Sequence, residues 1–376
     1  MRILIFNWQD IKNPLAGGAE VHLHEVFSRI VKMGHEVTLF CSSFKGAPDE
    51  EIINGIRVLR KGGRYLFNFH VPFQYFFRFR NGVYDLIIDD MNKIPFFTPL
   101  YLREPLYFIT HHMFDKSIFL EVPFPLALYV YLTEKAGFAL SRNRKLPFIV
   151  GSPSTKAELV AKGFDPAMIE IINYCVDHTI HKRSNIQRST KPLIGYFGRL
   201  KKYKSIEHLL RAVALVMKKI PDLELFIVGE GDNRKALESL TVQLGINQVV
   251  RFTGFVNEAE KVRLMQEVWF AVNTSSKEGW GLTVVEANAC GTTVLASNVP
   301  GLRDAINDGE TGLLYEYGNI DELSKKILTL IGDSSLRNRL AQAAHTWALT
   351  FDWDQAAQRT MELLQNHVNQ SSKMLS

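Results

Sequence analysis

The 376-residue chain is 46% hydrophobic and 22% charged, with 25 Gly and 14 Pro, an ordinary globular composition that excludes a disordered, collagen-like or small disulfide-stapled protein. Its length exceeds one comfortable core and predicts about two domains, and three widely spaced cysteines, Cys41, Cys175 and Cys290, fit a reducing compartment rather than a disulfide framework. The net charge of +5 falls wholly in residues 1–190, with 23 Lys and Arg against 18 Asp and Glu, as do 19 of the 25 Phe; residues 191–376 carry 21 charges of each sign. A basic, Phe-rich half beside a neutral one suggests two domains with different partners, the first facing an anionic or apolar surface.

In chain order, Arg2–Phe6 reads as a strand, Gly17-Gly18 as a loop and Glu20–Met33 as a helix with Leu23, Phe27, Ile30 and Val31 on one stripe. Gly34 ends that helix and His35–Cys41 is the next strand, completing a βαβ unit with parallel strands. Tyr84–Asp89, Leu106–Thr110 and Pro147–Gly151 read as further strands. The polar stretch Arg183–Pro192 has linker composition. After it the alternation restarts with strands at Leu193–Phe197, Leu223–Val228, Val249–Phe252, Phe270–Asn273, Thr293–Ala296 and Gly312–Tyr315, and helices such as Ser205–Lys219 and Ile320–Ile331. A final helix spans about Asp354–Val368. The expected architecture is α/β, two Rossmann-like doubly wound domains (1–185 and 190–350), with ligands at the carboxyl ends of strands and a cleft between the domains as the expected site. The N-terminus lacks a signal-peptide core, and the longest apolar run, Ile118–Leu132, is broken by Glu121, Pro123 and Pro125, so the expected location is cytoplasmic, with peripheral attachment to the inner face of the membrane left open.

Four segments could carry chemistry. Pro14-Leu15-Ala16-Gly17-Gly18-Ala19-Glu20 opens the first helix, where glycines and free N–H groups favour an anion; a plain tight turn is the alternative. Gly198-Arg199-Leu200 with Lys204 follows the first strand of the second half, where an Arg and a Lys five residues apart can clamp a diphosphate, or form a solvated basic loop. Gly229-Glu230-Gly231 is a third strand-to-helix turn. Glu278 and Glu286, separated by seven residues, stand on a Gly-rich loop and about two turns into the following helix, where they could face one ligand at different depths; the apolar Leu282, Val285 and Ala289 form the helix's buried stripe.

The run from Glu278 through Gly279, Gly281, Leu282 and Glu286 to Cys290-Gly291, with Pro300-Gly301 and Asp308-Gly309-Glu310-Thr311-Gly312 after it, closely resembles the group 1 glycosyltransferases, also called glycosyltransferase family 4. Gly17-Gly18, Gly198-Arg199 with Lys204, Gly229-Glu230-Gly231 and Phe252-Thr253-Gly254-Phe255-Val256 occur in the family's order and extend the resemblance over nearly the whole chain. The resemblance implies the GT-B fold, two Rossmann-like domains facing across a cleft, with residues 354–376 returning to the first domain. It implies retaining transfer from a nucleotide-sugar donor without a metal or other cofactor; the expected sugar is hexose-type and the expected acceptor a glycan or, if the aromatic segments Tyr65–Arg80 and Phe114–Leu132 meet a membrane, a lipid-linked one, as in cell-envelope polysaccharide synthesis. Carried over, Arg199 and Lys204 hold the diphosphate, Gly17 and Gly18 approach the phosphates from the other domain, Gly229 lies among the nucleotide-binding residues, and the backbone around Phe255 and Val256 contacts the base. Glu286 takes the ribose, and Glu278, with the backbone of Gly279, Gly281 and Leu282, takes the donor sugar. A catalytic His is expected after a first-domain strand, where His111 is preferred and His112 is one residue away. The chain departs from the family at Asn173-Tyr174-Cys175-Val176-Asp177, where Asn-Gly-Val-Asp is common. A nucleotide-sugar-binding protein without transfer activity and a GT-B-like UDP-sugar 2-epimerase are the alternatives.

Two aromatic segments, Tyr65–Arg80 and Phe114–Leu132, suit either an anionic membrane interface or burial, since Phe73, Phe76 and Phe77 fall at helical spacing. Nucleic acid is not an expected partner, because the second half is neutral and carries no RNA-binding motif.

Overall fold

The computed structural model describes residues 1–91, 94–111, 113–120, 122–184 and 186–375. The chain divides into two compact units, Met1–Tyr174 with Trp353–Ser376, and Cys175–Asp352.

The first unit begins with β1 (Arg2–Phe6), α1 (Gly18–Lys32), β2 (Glu36–Cys41), β3 (Glu50–Ile53) and β4 (Ile56–Arg60). It continues with α2 (Phe67–Gln74), β5 (Leu86–Asp90), β6 (Leu106–Thr110), α3 (Phe124–Asn143), β7 (Phe148–Val150), α4 (Pro153–Ala161) and β8 (Ile169–Ile171). The sheet order is β3-β4-β2-β1-β5-β6-β7-β8, parallel except for the β3–β4 hairpin, whose Asn54-Gly55 turn takes positive φ at both residues. The central strands are buried on both faces, as covered parallel sheets require. Chain order reverses between β1 and β5, so the loops after these two strands diverge there and leave a crevice at the sheet's carboxyl edge.

The second unit comprises β9 (Leu193–Phe197), α5 (Ile206–Val216), β10 (Glu224–Val228), α6 (Arg234–Gln243), β11 (Val250–Gly254), α7 (Glu258–Glu267) and β12 (Phe270–Asn273). Then come α8 (Leu282–Ala289), β13 (Val294–Ser297), α9 (Leu302–Ala305), β14 (Gly312–Tyr315), α10 (Ile320–Gly332) and α11 (Ser334–Ala348). Its all-parallel sheet, β11-β10-β9-β12-β13-β14, has the doubly wound order, with the reversal between β9 and β12. The last helix, α12 (Trp353–Leu375), belongs to the first unit, where Arg29 Nε lies 2.5 Å from Asp354 Oδ1 and Arg359 lies 3.6 Å from Glu170.

The polar stretch 183–192 is fastened to the second unit: Arg183 reaches Gln342 and the carbonyl of Ala341, and Arg188 reaches the carbonyls of Val268 and Gly291. The unit boundary falls at Tyr174/Cys175, and the stretch, though mostly exposed, is tied to the second unit by these arginine bonds. With this boundary the charge is no longer one-sided: the first unit has 22 Lys and Arg against 19 Asp and Glu, and the second 22 against 20. All 19 Phe of the first half stay in the first unit.

In the Tyr65–Arg80 segment, for which burial and an exposed interface are both open, the three phenylalanines at helical spacing are exposed. Phe67, Val71, Tyr75 and Phe79, four residues apart, form the buried stripe, while Phe73 and Phe77 are 55% and 76% exposed and Phe76 is also exposed. The helix widens over Tyr75–Phe79, where the Arg80 amide bonds the carbonyl of Tyr75 five residues back, a π-type turn. Asn68 donates to the Tyr129 hydroxyl at 3.3 Å and so joins this segment to α3, whose Phe124, Leu128 and Leu132 are also exposed.

Candidate active site

In the second unit, the turns that follow the strands meet where the strand order reverses. Lys204 lies in the turn after β9, and Glu278 in the loop after β12; the two form an ion pair. Thr274 Oγ1 donates to the Lys204 carbonyl at 2.9 Å, the Ser276 amide to the Tyr203 carbonyl at 2.8 Å, and Ser275 Oγ to Glu278 Oε1 at 2.7 Å. The two loops are thereby sewn together before any ligand arrives, which removes reorganisation cost from the site. Burial would lower the Lys204 ammonium, but Glu278 outweighs it and holds the pKa above the ordinary lysine value, so the side chain stays charged. Arg199, by contrast, is exposed and has no ion-pair partner among the described residues, leaving its fork available for an anion.

Gly229 has φ +133°, and a Cβ there would lie 2.1 Å from the Gly198 carbonyl oxygen; at Gly231 it would lie 2.2 Å from that of Leu200. These glycines let the turns after β9 and β10 pack backbone on backbone, which is the use the fold makes of them. The Gly229 amide then donates to the Gly254 carbonyl at 3.0 Å, and Phe255, just beyond, is 83% exposed with Val256 half-buried beside it.

Gly281 precedes α8, and Gly279 and Leu282 are half-buried. Since α8 starts only at Leu282, Glu286 is about one turn in, not two: the first residues after Glu278 are loop. Val284, Val285, Ala287 and Ala289 are buried, a wider apolar face than the sequence stripe, while Leu282 is only half-buried. Each glutamate has its own lysine: Glu286 Oε2 lies 3.0 Å from Lys261 Nζ on α7. Lys261 also reaches Glu258 at 2.7 Å, and His181 Nε2 lies 2.9 Å from Glu258 and 3.9 Å from Glu286. The fold gathers ligand atoms of His181, Glu258 and Glu286 within 4.8 Å of one another. The cation between the two carboxylates is the Lys261 ammonium.

In the first unit, Gly17 caps α1 without a side chain and Gly18 is its first residue. Glu20 turns back to accept the Gly17 amide at 2.7 Å and the Gln9 side-chain amide at 3.1 Å; burial pushes its carboxyl above the ordinary glutamate value. His111 follows β6 and is 4% exposed. Its Nε2 lies 3.0 Å from Asp90 at the end of β5, and its Nδ1 contacts the Tyr174 hydroxyl, so both ring nitrogens are engaged. Burial opposes the charged imidazole, but Asp90 outweighs it and raises the His111 pKa. The His22 ring stacks on Tyr174 at 4.6 Å. His112 lies outside the described residues.

Sequence reasoning missed Asp90, Tyr174, Lys261, Glu258 and His181. Tyr174 stands at the noted departure from the family pattern, and the three-residue spacing of Glu258 and Lys261 on one helix was a readable signal.

Among the described residues no helix is long and apolar enough to cross a membrane. Residues 177–347 match the family model described as glycosyl transferases group 1, and residues 16–180 that described as glycosyltransferase family 4. A D-inositol 3-phosphate glycosyltransferase of Corynebacterium urealyticum is 32% identical over 46% of this chain and 42% of its own length. The chain spans about half the length of the first curated relatives it matches. Among solved structures, sucrose-phosphate synthase from Thermosynechococcus elongatus superposes with a TM-score of 0.80 at 21% identity, over 97% of this chain and 98% of that one. Anabaena HepE in complex with UDP-glucose gives 0.76 at 20% identity, over 97% and 100%. Two doubly wound parallel sheets, the motif order along the chain and these matches together place the protein among the group 1, family 4 glycosyltransferases, enzymes of the GT-B fold.

Proposed function

We propose that the chain transfers a hexose-type sugar, with retention of anomeric configuration, from a nucleoside-diphosphate sugar to a glycan or lipid-linked acceptor. The observation that carries this reading is the Lys204–Glu278 pair at the strand-order reversal, with Arg199 exposed beside it. A diphosphate placed there meets two cations, Lys204 held by Glu278 and Arg199 exposed and able to reach it, which neutralise the charge that builds on the leaving group as the glycosidic bond breaks. Glu278 is left to accept hydroxyls of the donor sugar, Glu286 those of the ribose, and the backbone around Phe255 and Val256 meets the base. HepE binds UDP-glucose, which makes UDP-sugars the first donors to test. A thermal-shift screen of UDP-, GDP- and ADP-sugars identifies the donor, and NMR of the product reports its anomeric configuration. Because Arg199 and Lys204 supply the positive charge, turnover in EDTA is expected to equal turnover with added Mg²⁺; loss of activity in EDTA would refute this use of the two side chains.

The acceptor side carries the membrane part of the proposal. Phe69, Phe73, Phe77, Phe124 and Leu132 are exposed, with the Phe73 and Phe77 rings 4.4 Å apart; of the six Lys and Arg in residues 52–84, Arg60 is buried on Asp10 and Arg57 and Arg78 pair with Glu50. Exposed Arg64 and Arg80 flank Phe69, Phe73 and Phe77 in sequence. Apolar insertion with a cationic margin fits an anionic bilayer. The protein is expected to float with vesicles containing phosphatidylglycerol and not with neutral ones. Phe73→Ser with Phe77→Ser is expected to lower that binding at least tenfold, since each buried Phe contributes about 1.5–3 kcal/mol. Equal flotation with neutral vesicles, or none with either, would sink the idea.

A further inference from the structure

The cluster behind Glu286 has no part in the proposal above. Lys261 Nζ bridges Glu286 Oε2 at 3.0 Å and Glu258 Oε1 at 2.7 Å, and His181 Nε2 contacts that same Glu258 oxygen at 2.9 Å. Four groups on three parts of the chain thus converge: His181 before β9, Glu258 and Lys261 on α7, and Glu286 on α8. Glu258 is the outermost, with a side chain 47% exposed, whereas Glu286 and His181 are 10% and 6% exposed.

Two acidic side chains this close repel unless a cation lies between them, and Lys261 is that cation. Burial would raise the Glu258 carboxyl, but His181 and Lys261 outweigh it and hold it down at about 2. Burial would lower the Lys261 ammonium, but Glu286 and Glu258 raise it. Lys261 is therefore charged across the physiological range. It takes one Glu286 oxygen, Oε2, and leaves Oε1 3.9 Å from the nearest imidazole nitrogen. A carboxylate fixed through one oxygen presents the other in a set direction, which is what recognition of a vicinal diol requires.

We infer that Lys261, backed by Glu258 and His181, is the positioning residue that aims Glu286 at the ribose hydroxyls of the nucleotide. This rests on the ribose role proposed for Glu286 and adds the device that sets its direction. Lys261 itself touches no part of the substrate; it acts through Glu286. Without its ammonium the two carboxylates repel, Glu286 turns away, and the site loses its ability to tell ribose from deoxyribose.

The test uses the full chain and the nucleoside diphosphate that binds best among UDP, GDP and ADP, together with its 2′-deoxy and 3′-deoxy counterparts. Affinities are measured by calorimetry for the wild type, Lys261→Met, Lys261→Arg and Glu286→Gln. The wild type is expected to favour the ribonucleotide over one of the deoxy forms by tenfold or more. Glu286→Gln and Lys261→Met should both bring that ratio close to one, and Lys261→Arg should restore most of it. A Lys261→Met protein that keeps the wild-type ratio overturns the positioning role and leaves the Glu286 reading standing. A Glu286→Gln protein that keeps the ratio overturns the ribose reading itself, and the inference with it. If Lys261→Met lowers affinity for ribo and deoxy forms equally and arginine does not rescue it, the lysine is structural only and the inference fails. Thermal midpoints of all four proteins show whether a loss reflects unfolding.

Discussion

Lys204→Ala is expected to lower kcat/KM for the nucleotide-sugar donor by about 10²–10³, which is roughly 2.7–4 kcal/mol of transition-state stabilisation. The donor diphosphate carries charge in the ground state and gains more as the glycosidic bond breaks, so a fixed ammonium at the leaving oxygens is worth more in the transition state. The loss should therefore fall mainly on kcat, with a smaller change in KM. Because the largely buried Glu278 loses its counter-charge, the thermal midpoint of the variant is measured alongside. Lys204 sits in a single turn of helix, and after its removal Glu278 still accepts from Ser275 Oγ at 2.7 Å. Arg199→Ala should cost less, because Arg199 is exposed and screened by solvent, whereas Lys204 is largely buried beside Glu278. Steady-state kinetics with nucleotide affinity measured alongside would decide the matter. A kcat within fivefold of wild type for Lys204→Ala would remove Lys204 from the chemistry.

The sheets and the ends of their strands were legible because βα alternation and strand-terminal glycines are local signals. Leu106–Thr110, Leu193–Phe197 and Gly312–Tyr315 could be bounded to the residue. The β3–β4 hairpin carries a strong turn signal, Asn54-Gly55 between Ile53 and Ile56, but the alternation flanking it is short and charged and does not read as strands. Arg199, Lys204, Glu278 and Glu286 could be named from motif order. The partners of Glu286 and His111 could not, since Lys261 reaches Glu286 across 25 residues and Tyr174 reaches His111 across 63, distances that only the tertiary fold closes. Whether Phe73 and Phe77 were core or surface was undecidable from spacing alone: the segment carries apolar residues on both faces, and the stripe through Phe67, Val71, Tyr75 and Phe79 took the core. The charge asymmetry read from the two halves depended on a boundary near residue 190, and moving it to Tyr174/Cys175 leaves nearly equal charges in the two units.

Arg60→Ala is expected to destabilise the first unit by about 3–5 kcal/mol, the cost of leaving a buried charge without its partner. Arg60 and Asp10 have fully buried side chains and pair through two bonds, Nε to Oδ2 at 2.7 Å and Nη2 to Oδ1 at 3.0 Å. Arg60 Nη1 adds the Pro48 carbonyl at 3.1 Å, so β4, the segment before β3 and the loop after β1 are held at one point. That loop leads to Gly17 and Gly18, and loosening it should also blur the glycine turn at the start of α1. Acid separates the lost charge pair from lost packing. Burial would raise the Asp10 carboxyl, but Arg60 and the Lys12 amide outweigh it and hold it below the ordinary aspartate value of 3.8. In the wild type this contributes stability that is present above that value and lost as pH falls through the lower folded value. In Arg60→Ala the buried Asp10 has lost that counter-charge and its pKa should rise, so protonating it relieves strain and the deficit against wild type should shrink as pH drops from 7 towards 4. Hydrogen exchange of the β1, β2 and β4 amides at pH 7 and pH 5 reads both effects within the first unit. A deficit that stays the same at the two pH values would assign the loss to the cavity left by the guanidinium rather than to the unpaired carboxylate.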